Sequence, residues 1–162
     1  MRKISAGLVM YRINGDRLEV LLVHPGGPFW TRKDERAWFI PKGEITPNED
    51  ALAAAKREFQ EETGMKPEGP FIDLGSVKHK SGKIVQAWGF EGDCDTRALS
   101  SNTFTMEWPP RSGQKQEFPE IDRAEFFSLK DARSKIYPAE FEILLRLQET
   151  YMQTGTISKS LE

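Results

Sequence analysis

One stretch constrains the fold more than any other: residues 51–63, "ALAAAKREFQEET", followed by Gly64. Alanine, leucine, lysine, arginine, glutamate and glutamine are strong helix formers, and glycine supplies the left-handed residue that ends a helix. Asn48 is placed to cap this helix, with Glu49 and Asp50 in a first turn whose dipole favours acids. The sequence on either side is of β type. Upstream, "ISAGLVMYR" (4–12) and "LEVLLVH" (18–24) are joined by "INGDR", whose Asn-Gly pair signals a hairpin, and "AWFIP" (37–41) reads as a short strand closed by Pro41 and Gly43. Downstream, "FIDLGSVKH" and "IVQAWGFEG" alternate around "KSGK" as a second hairpin, and "AEFFSL" reads as the last strand. A short helical turn over 129–136 and an amphipathic helix from Pro138 to about Met152, with Phe141, Leu144, Leu145 and Leu147 or Gln148 at helical spacing, complete the order. Hairpins, a central helix, more strands and a terminal helix predict an α/β chain: a mixed sheet with helices packed on its faces.

Two segments fall outside these elements. "PGGPFWTRKDER" (25–36) carries too much glycine, proline and charge for a regular element, and "SSNTFTMEWPPRSGQKQEFPE" (100–120) is polar and proline-bearing, with room for one short strand at 103–108. Long loops in compact domains tend to carry function. The 162 residues suit one domain, expected over 1–153, with "TGTISKSLE" (154–162) as a flexible tail.

Composition narrows the function classes. With 38% hydrophobic and 30% charged residues, and no apolar run of membrane-spanning length, the chain reads as a soluble globular protein with no membrane partner. Its N-terminal apolar stretch is broken by Tyr11 and Arg12 and lacks a cleavage site, which argues against a signal peptide and for the cytoplasm. A net charge of −2 gives no bulk attraction for nucleic acid, so any phosphate binding is local. The single cysteine, Cys94, excludes an internal disulfide, and its acidic neighbours in "EGDCDT" disfavour a reactive thiolate. His24 and His79 show no partner pattern and are expected to be structural.

Within the helix, Glu58, Glu61 and Glu62 fall in a sector of roughly 100°. Like charges at these spacings each destabilise a helix by a few tenths of a kcal/mol, and acids near its C-terminus oppose the dipole. A divalent cation would offset both costs, since glutamate oxygens are hard ligands suited to Mg²⁺ or Mn²⁺. Taken alone, the cluster reads rather as a solvated acidic face with Arg57 paired to Glu61, since exposed acidic helices are common.

The spacing around it changes the reading. Gly43, five residues, Glu49, seven residues and then "REFQEETGM" resembles the Nudix box, a glycine, a glutamate and an Arg-Glu-x-x-Glu-Glu-x-Gly cluster at fixed intervals. Such a match arises by chance with a probability on the order of one in ten million. Phe59, where an aliphatic residue is usual, departs slightly and does not touch the chemistry. The resemblance implies an α/β/α sandwich around a mixed sheet, and a metal-dependent pyrophosphohydrolase acting on a nucleoside diphosphate derivative. By position it implies Glu58, Glu61, Glu62 and the backbone of Gly43 as metal ligands, with Mg²⁺ or Mn²⁺ as cofactor, and Arg57 orienting the glutamates together with Glu49. It leaves the catalytic base open between the box glutamates and a later acid, Glu120 or Glu117.

Three features bear on the substrate. Lys42 before the box glycine looks like the branch acting on dinucleoside polyphosphates, as a phosphate contact or as a surface charge. Phe29, Trp30, Arg32 and Lys33 offer rings to stack a base and cations to hold phosphate, unless the rings simply pin the loop to the core. Trp108, Arg111 and Lys115 form a similar set in the second loop, whereas Trp88 alternates like a core or pocket-wall residue. The expectation is a nucleotide hydrolase, monomer or homodimer, cutting diadenosine polyphosphate such as the tetraphosphate to ATP and AMP. The alternatives are a nucleoside triphosphate or ADP-ribose pyrophosphatase, an RNA 5′ pyrophosphohydrolase, and a non-catalytic nucleotide-sensing domain.

Overall fold

The computed structural model describes residues 3–153, so the expected tail over 154–162 lies outside the described residues. Strands β1 (Ile4–Asn14) and β2 (Arg17–Pro25) form the first hairpin, in register from Tyr11↔Val20 to Asn14↔Arg17. Toward the start of β1 the two strands part, and β3 (Lys42–Glu44) pairs into the gap through Ser5↔Glu44, Ala6↔Gly43 and Gly7↔Lys42. The expected strand over 37–41 is therefore displaced: Trp38 and Phe39 make only isolated bridges, and Gly43 lies inside the strand instead of closing it. Pro41 accounts for the break, because it brings no N–H to a ladder.

On the other edge of β1 runs β5 (Ile84–Glu91), parallel from Ile4↔Ile84 to Tyr11↔Glu91, and β4 (Ile72–Lys78) pairs antiparallel with β5 as the second hairpin. Strand β8 (Ile121–Ser128) closes the far side against β2, starting three residues before the expected "AEFFSL". The sheet order is β4-β5-β1-β2-β8 with β3 paired to β1. A separate two-stranded sheet, β6 (Thr103–Glu107) with β7 (Lys115–Pro119), occupies the segment read as a loop. β7 escapes sequence reading because "KQEFP" carries charge and proline and is exposed except at Phe118, which leaves no apolar alternation to see.

Strand periodicity divides the core in two. Val9, Tyr11, Val20, Leu22, Val85 and Ala87 face α2 (Leu129–Lys135) and α3 (Phe141–Gln153), which contribute Leu129, Ala132, Ile143, Leu144 and Leu147. Ala6, Leu8, Met10, Leu21, Val23 and Phe90 face α1 (Ala51–Thr63) through Ala54, Ala55 and Phe59. The result is the α/β/α sandwich expected from the resemblance. Phe59 is fully buried and meets Phe90 edge-on at 5.2 Å, so the aromatic departure in the box is a packing anchor; its burial contributes about 1.5–3 kcal/mol.

The ends of α1 are only partly as expected. Gly64, at φ 79, is the left-handed stop and donates its N–H to the Gln60 carbonyl. The cap at the other end is Asp50, whose carboxylate accepts from the Ala53 N–H at 3.2 Å. Asn48 instead takes a left-handed turn at φ 65, and Glu49 lies outside the helix with its carboxylate turned back to the Thr46 N–H and hydroxyl.

Candidate active site

The glutamate face of α1 lies under β3, and the two fit because residue 43 has no side chain. A Cβ built on Gly43 would sit 2.0 Å from the Glu58 carboxyl carbon, so the Glu58 carboxylate fills the place a side chain would take. Arg57 organises the rest. Its guanidinium donates to Glu49 at 2.9 and 3.1 Å, to Glu58 at 2.7 Å, to Glu61 at 3.0 Å and to the Glu44 carbonyl at 3.1 Å. One planar fork thus fixes two acids of the cluster and ties the helix to the strand above it. Arg57 and the Thr46 hydroxyl and amide hold Glu49 down to about 2, so Glu49 is a permanent anchor for the guanidinium.

Glu62 has a different environment. It is buried, and burial first, then the charges of Glu58 and Glu120, push its carboxyl up to about 8, against the opposing pull of Lys42. Burial and the Glu61 charge likewise raise Glu58, with Arg57 opposing. Glu120, at the junction of β7 and β8, is raised by partial desolvation and by Glu58 and Glu61. Glu120 is therefore the later acid that the fold brings to the cluster. Glu117 sits on β7 opposite Thr105, exposed, and lines neither cleft described below.

Among the described residues, no three acidic, imidazole or thiol side chains stand as a finished metal cage. The donor set nevertheless fits a divalent cation. A buried carboxylate held protonated by its surroundings, with further carboxylates in electrostatic range and one seated against bare backbone, is an arrangement that positive charge relieves.

Beside the acids opens a cleft of about 290 Å³ whose walls include Glu62, Glu120, Lys42, Lys83, Trp30 and Phe39. Lys42 is far from a free surface charge. Its ammonium pairs with the fully buried Glu140 at 3.1 Å and lies 4.3 Å from the Phe39 ring centre. Glu140 also accepts from the Ile40 N–H at 3.0 Å and meets His79 Nε2 at 2.9 Å, and these cationic and N–H neighbours hold it below the usual carboxylate range despite its burial. Burial and the charge of Lys42 lower Lys83.

Phe39 stacks on Tyr137 at 5.3 Å, and past this pair lies a second cavity of about 700 Å³, bordered by Arg36, Lys78, His79, Lys80 and Tyr137. A third cavity, of about 460 Å³, runs between the 25–30 loop and β6, with Trp30 and Glu120 shared with the first. Sequence reading misses Lys83, Arg36, Lys78, Lys80, Tyr137 and Glu140. Only the cluster of lysines in "KHKSGK" offers any signal.

The remaining expected residues separate by position. Trp30 meets Phe39 edge-on at 5.7 Å with the Lys33 ammonium 4.9 Å from its ring centre, so it is both pinned and pocket-lining. Phe29 is 60% exposed and touches Trp108 edge-on. Arg32, Arg111 and Lys115 are exposed and line neither of the clefts that share Glu120. Trp88 packs half-buried against the α1 side of the core. His24 is buried between Asp122 and the Lys33 carbonyl, at 2.8 and 2.6 Å, and His79 is committed to Glu140, so both are structural. Burial and Asp93 raise the Cys94 thiol, which leaves it unreactive.

A NUDIX domain family model matches residues 1–147. The fold is shared with the crystal structure of a C. elegans Ap4A hydrolase binary complex, at TM-score 0.65 and 24% identity, covering 93% of this chain and 98% of that one. It is shared also with the NUDIX domain of Shewanella oneidensis NrtR complexed with ADP ribose, at TM-score 0.63 and 14% identity over 93% and 88% of the two chains. A MutT/nudix family protein from Enterococcus faecalis aligns at TM-score 0.67 and 16% identity over 94% of this chain and 63% of that one. No curated protein matches the sequence. With the box acids gathered on α1 beneath Gly43 and the family model spanning nearly the whole chain, this protein belongs to the NUDIX domain family and is a pyrophosphohydrolase.

Proposed function

We propose that the substrate is a dinucleoside polyphosphate, with diadenosine tetraphosphate cut to ATP and AMP as the best-fitting reaction. The observation that carries this reading is that the cleft of the acids and the cavity across the Phe39–Tyr137 stack are both bordered by cations. Lys42 and Lys83 share the cleft of Glu62 and Glu120, and past the Phe39–Tyr137 stack follow Arg36, Lys78 and Lys80 around an aromatic wall. A bare diphosphate has no use for so long a cationic track, whereas a tetraphosphate with a base at its far end fills it. The similarity of fold to an Ap4A hydrolase supports the same choice. Arg32, Arg111 and Lys115, exposed outside these walls, are assigned to long-range attraction of the polyanion.

In this reading Glu58, Glu61, Glu62 and the Gly43 backbone hold Mg²⁺ or Mn²⁺. When bound, such ions neutralise phosphate oxygens and acidify the attacking water. Arg57 keeps Glu58 and Glu61 in place without touching substrate. Glu120 accepts the proton of the attacking water, its carboxyl already raised by partial burial and then by its acidic neighbours. Lys42, immobilised by Glu140 and Phe39, presents a fixed charge to the phosphate chain.

The test is a product analysis over diadenosine tetraphosphate, ADP-ribose, nucleoside triphosphates and 5′-triphosphorylated RNA with Mg²⁺. ATP plus AMP from the dinucleotide, at a higher kcat/KM than any other member of the panel, is expected. Turnover of another member with inertness toward the dinucleotide would overturn the reading.

A further inference from the structure

Glu120 stands where the two arms of the β6–β7 hairpin meet. β7 ends at Pro119, one residue before it, and β6 begins one residue after Asn102, whose carbonyl accepts the Glu120 N–H at 2.8 Å. The Glu120 carbonyl in turn accepts from the Gly26 N–H at 2.8 Å. The backbone of this acid is therefore held by the hairpin on one side and by the 25–30 loop on the other. Its carboxylate goes where those two segments put it.

The hairpin has little footing of its own. β6 and β7 form a sheet outside the main one, and β7 is exposed except at Phe118, whose ring meets Phe104 across the ladder at 5.9 Å. A lone two-stranded hairpin is marginal in water, so what secures this one is the loop. The two touch at three points. Beside Glu120, a Cβ on Gly26 would stand 2.1 Å from the Pro119 carbonyl oxygen, so the loop backbone lies directly against the end of β7. Further along, Gly27, at φ 96, leaves room for Phe104: a Cβ there would stand 2.8 Å from the ring. At the turn end, Phe29 meets Trp108 edge-on, ring centres 5.5 Å apart. The loop is itself anchored through Trp30, which packs on Phe39, and Phe39 exchanges both backbone hydrogen bonds with Val23 of β2 at 2.9 Å.

We propose that Phe29 and Trp108 are positioning residues: they clasp the turn end of the hairpin to the loop, and the closed pair of segments fixes Glu120 relative to the acids of α1. Core packing does not explain the clasp, since Phe29 is 60% exposed and both rings lie outside the two cores. Trp108 borders none of the three cavities, so its effect on the reaction runs through Glu120 and not through contact with substrate. The step from position to rate rests on the reading of Glu120 as the acceptor of the water proton. The step from clasp to position rests on the contacts alone. A carboxylate displaced by even an ångström or so from the attacking water loses much of its effect, which is why a distant ring pair bears on the chemistry.

Amide hydrogen exchange on the full chain without metal reads the clasp in the absence of turnover. Phe29→Ala and Trp108→Ala should each speed exchange of the Gly26 and Glu120 amides about tenfold, while the Leu8 amide, bonded to the Pro41 carbonyl, keeps its rate. With Mg²⁺ and the panel member turned over fastest, Trp108→Ala should lower kcat about tenfold at an unchanged KM, and Trp108→Phe, which keeps a ring for Phe29, should restore it to within about twofold. In a Glu120→Gln background the same Trp108→Ala change should cost less than about twofold, because no base is left to misplace. Exchange as slow as wild type in both alanine variants, or an equal kcat loss with and without Glu120, would overturn the clasp. A Glu120→Gln variant with wild-type kcat would overturn the base assignment instead, and the exchange rates decide on the clasp whichever way that result falls.

Discussion

Glu62 illustrates how a single carboxylate is poorly placed in one state and well placed in another. Its carboxyl moves from an ordinary 4.5 to about 8 on folding, mainly by burial. A raised carboxyl binds its proton more tightly in the folded chain, so its contribution to stability is full below about 4.5, falls as pH rises toward 8, and is gone above. In a chelator at pH 8.5, Glu62→Gln should therefore melt about 2–4 °C higher than wild type, equivalent to roughly 1 kcal/mol, and the gap should close by pH 5. With Mg²⁺ present the order should reverse, and kcat should fall at least a hundredfold. A Glu62→Gln variant that melted below wild type in chelator at pH 8.5 would show that burial is not what raises the group. Arg57 makes a complementary case. Arg57→Lys keeps the charge and loses the fork that grips Glu49, Glu58 and Glu61, so apparent Mg²⁺ affinity should drop roughly ten- to a hundredfold while KM for the nucleotide holds. Calorimetric Mg²⁺ titration beside steady-state kinetics would separate those two effects.

At the scale of elements, α1 shows where local chemistry is legible and where it is not. Gly64 is readable as the stop because only glycine takes the left-handed position cheaply, and the glutamate spacing is readable because a helix projects it onto one face. The cap is ambiguous in sequence because Asn48 and Asp50 are both good cap residues, and what decides between them is the tertiary demand on Glu49 to reach Arg57. Asp50→Ala should accordingly cost about 1 kcal/mol in urea unfolding, whereas Asn48→Gly, in a backbone conformation glycine prefers, should be neutral or stabilising. A larger loss for Asn48→Gly than for Asp50→Ala would reverse the assignment. Sequence pattern sets β3 a few residues early for a similar reason: its pairing with β1 is settled by the parting of β1 and β2, which no local pattern records.

Across the whole molecule, alternation along β1, β2 and β5 announces two buried faces, and with them the sandwich. Outside the box, Trp30, Lys42 and Glu120 are legible as cleft residues, and the rest of the cleft wall is not. Lys83, Tyr137 and Glu140 come from a hairpin turn and from the approach to α3, and only the folded chain brings Lys83 into the cleft of Lys42, Glu140 onto its ammonium and Tyr137 onto Phe39. The molecule carries a net charge of −2, yet Arg36, Lys78 and Lys80 border one cavity and Lys42 and Lys83 another. Added salt should therefore raise KM more steeply for a tetraphosphate substrate than for a diphosphate such as ADP-ribose, with the difference lost in Lys80→Ala. Parallel salt dependences for the two would remove the cationic track from recognition.

The tether between Lys42 and Glu140 sets a lower bound on how far this chain can be trimmed. All the signature residues lie between positions 43 and 65, and a fragment ending before the turn Pro138–Glu140 would keep every one of them. Such a fragment would lose Glu140, the partner that Lys42, Ile40 and His79 share, and so release the strand on which Gly43 rides. The hereditary unit of the chemistry thus reaches 75 residues past the motif that advertises it, because a turn at the entry to the last helix steadies a glycine far up the chain.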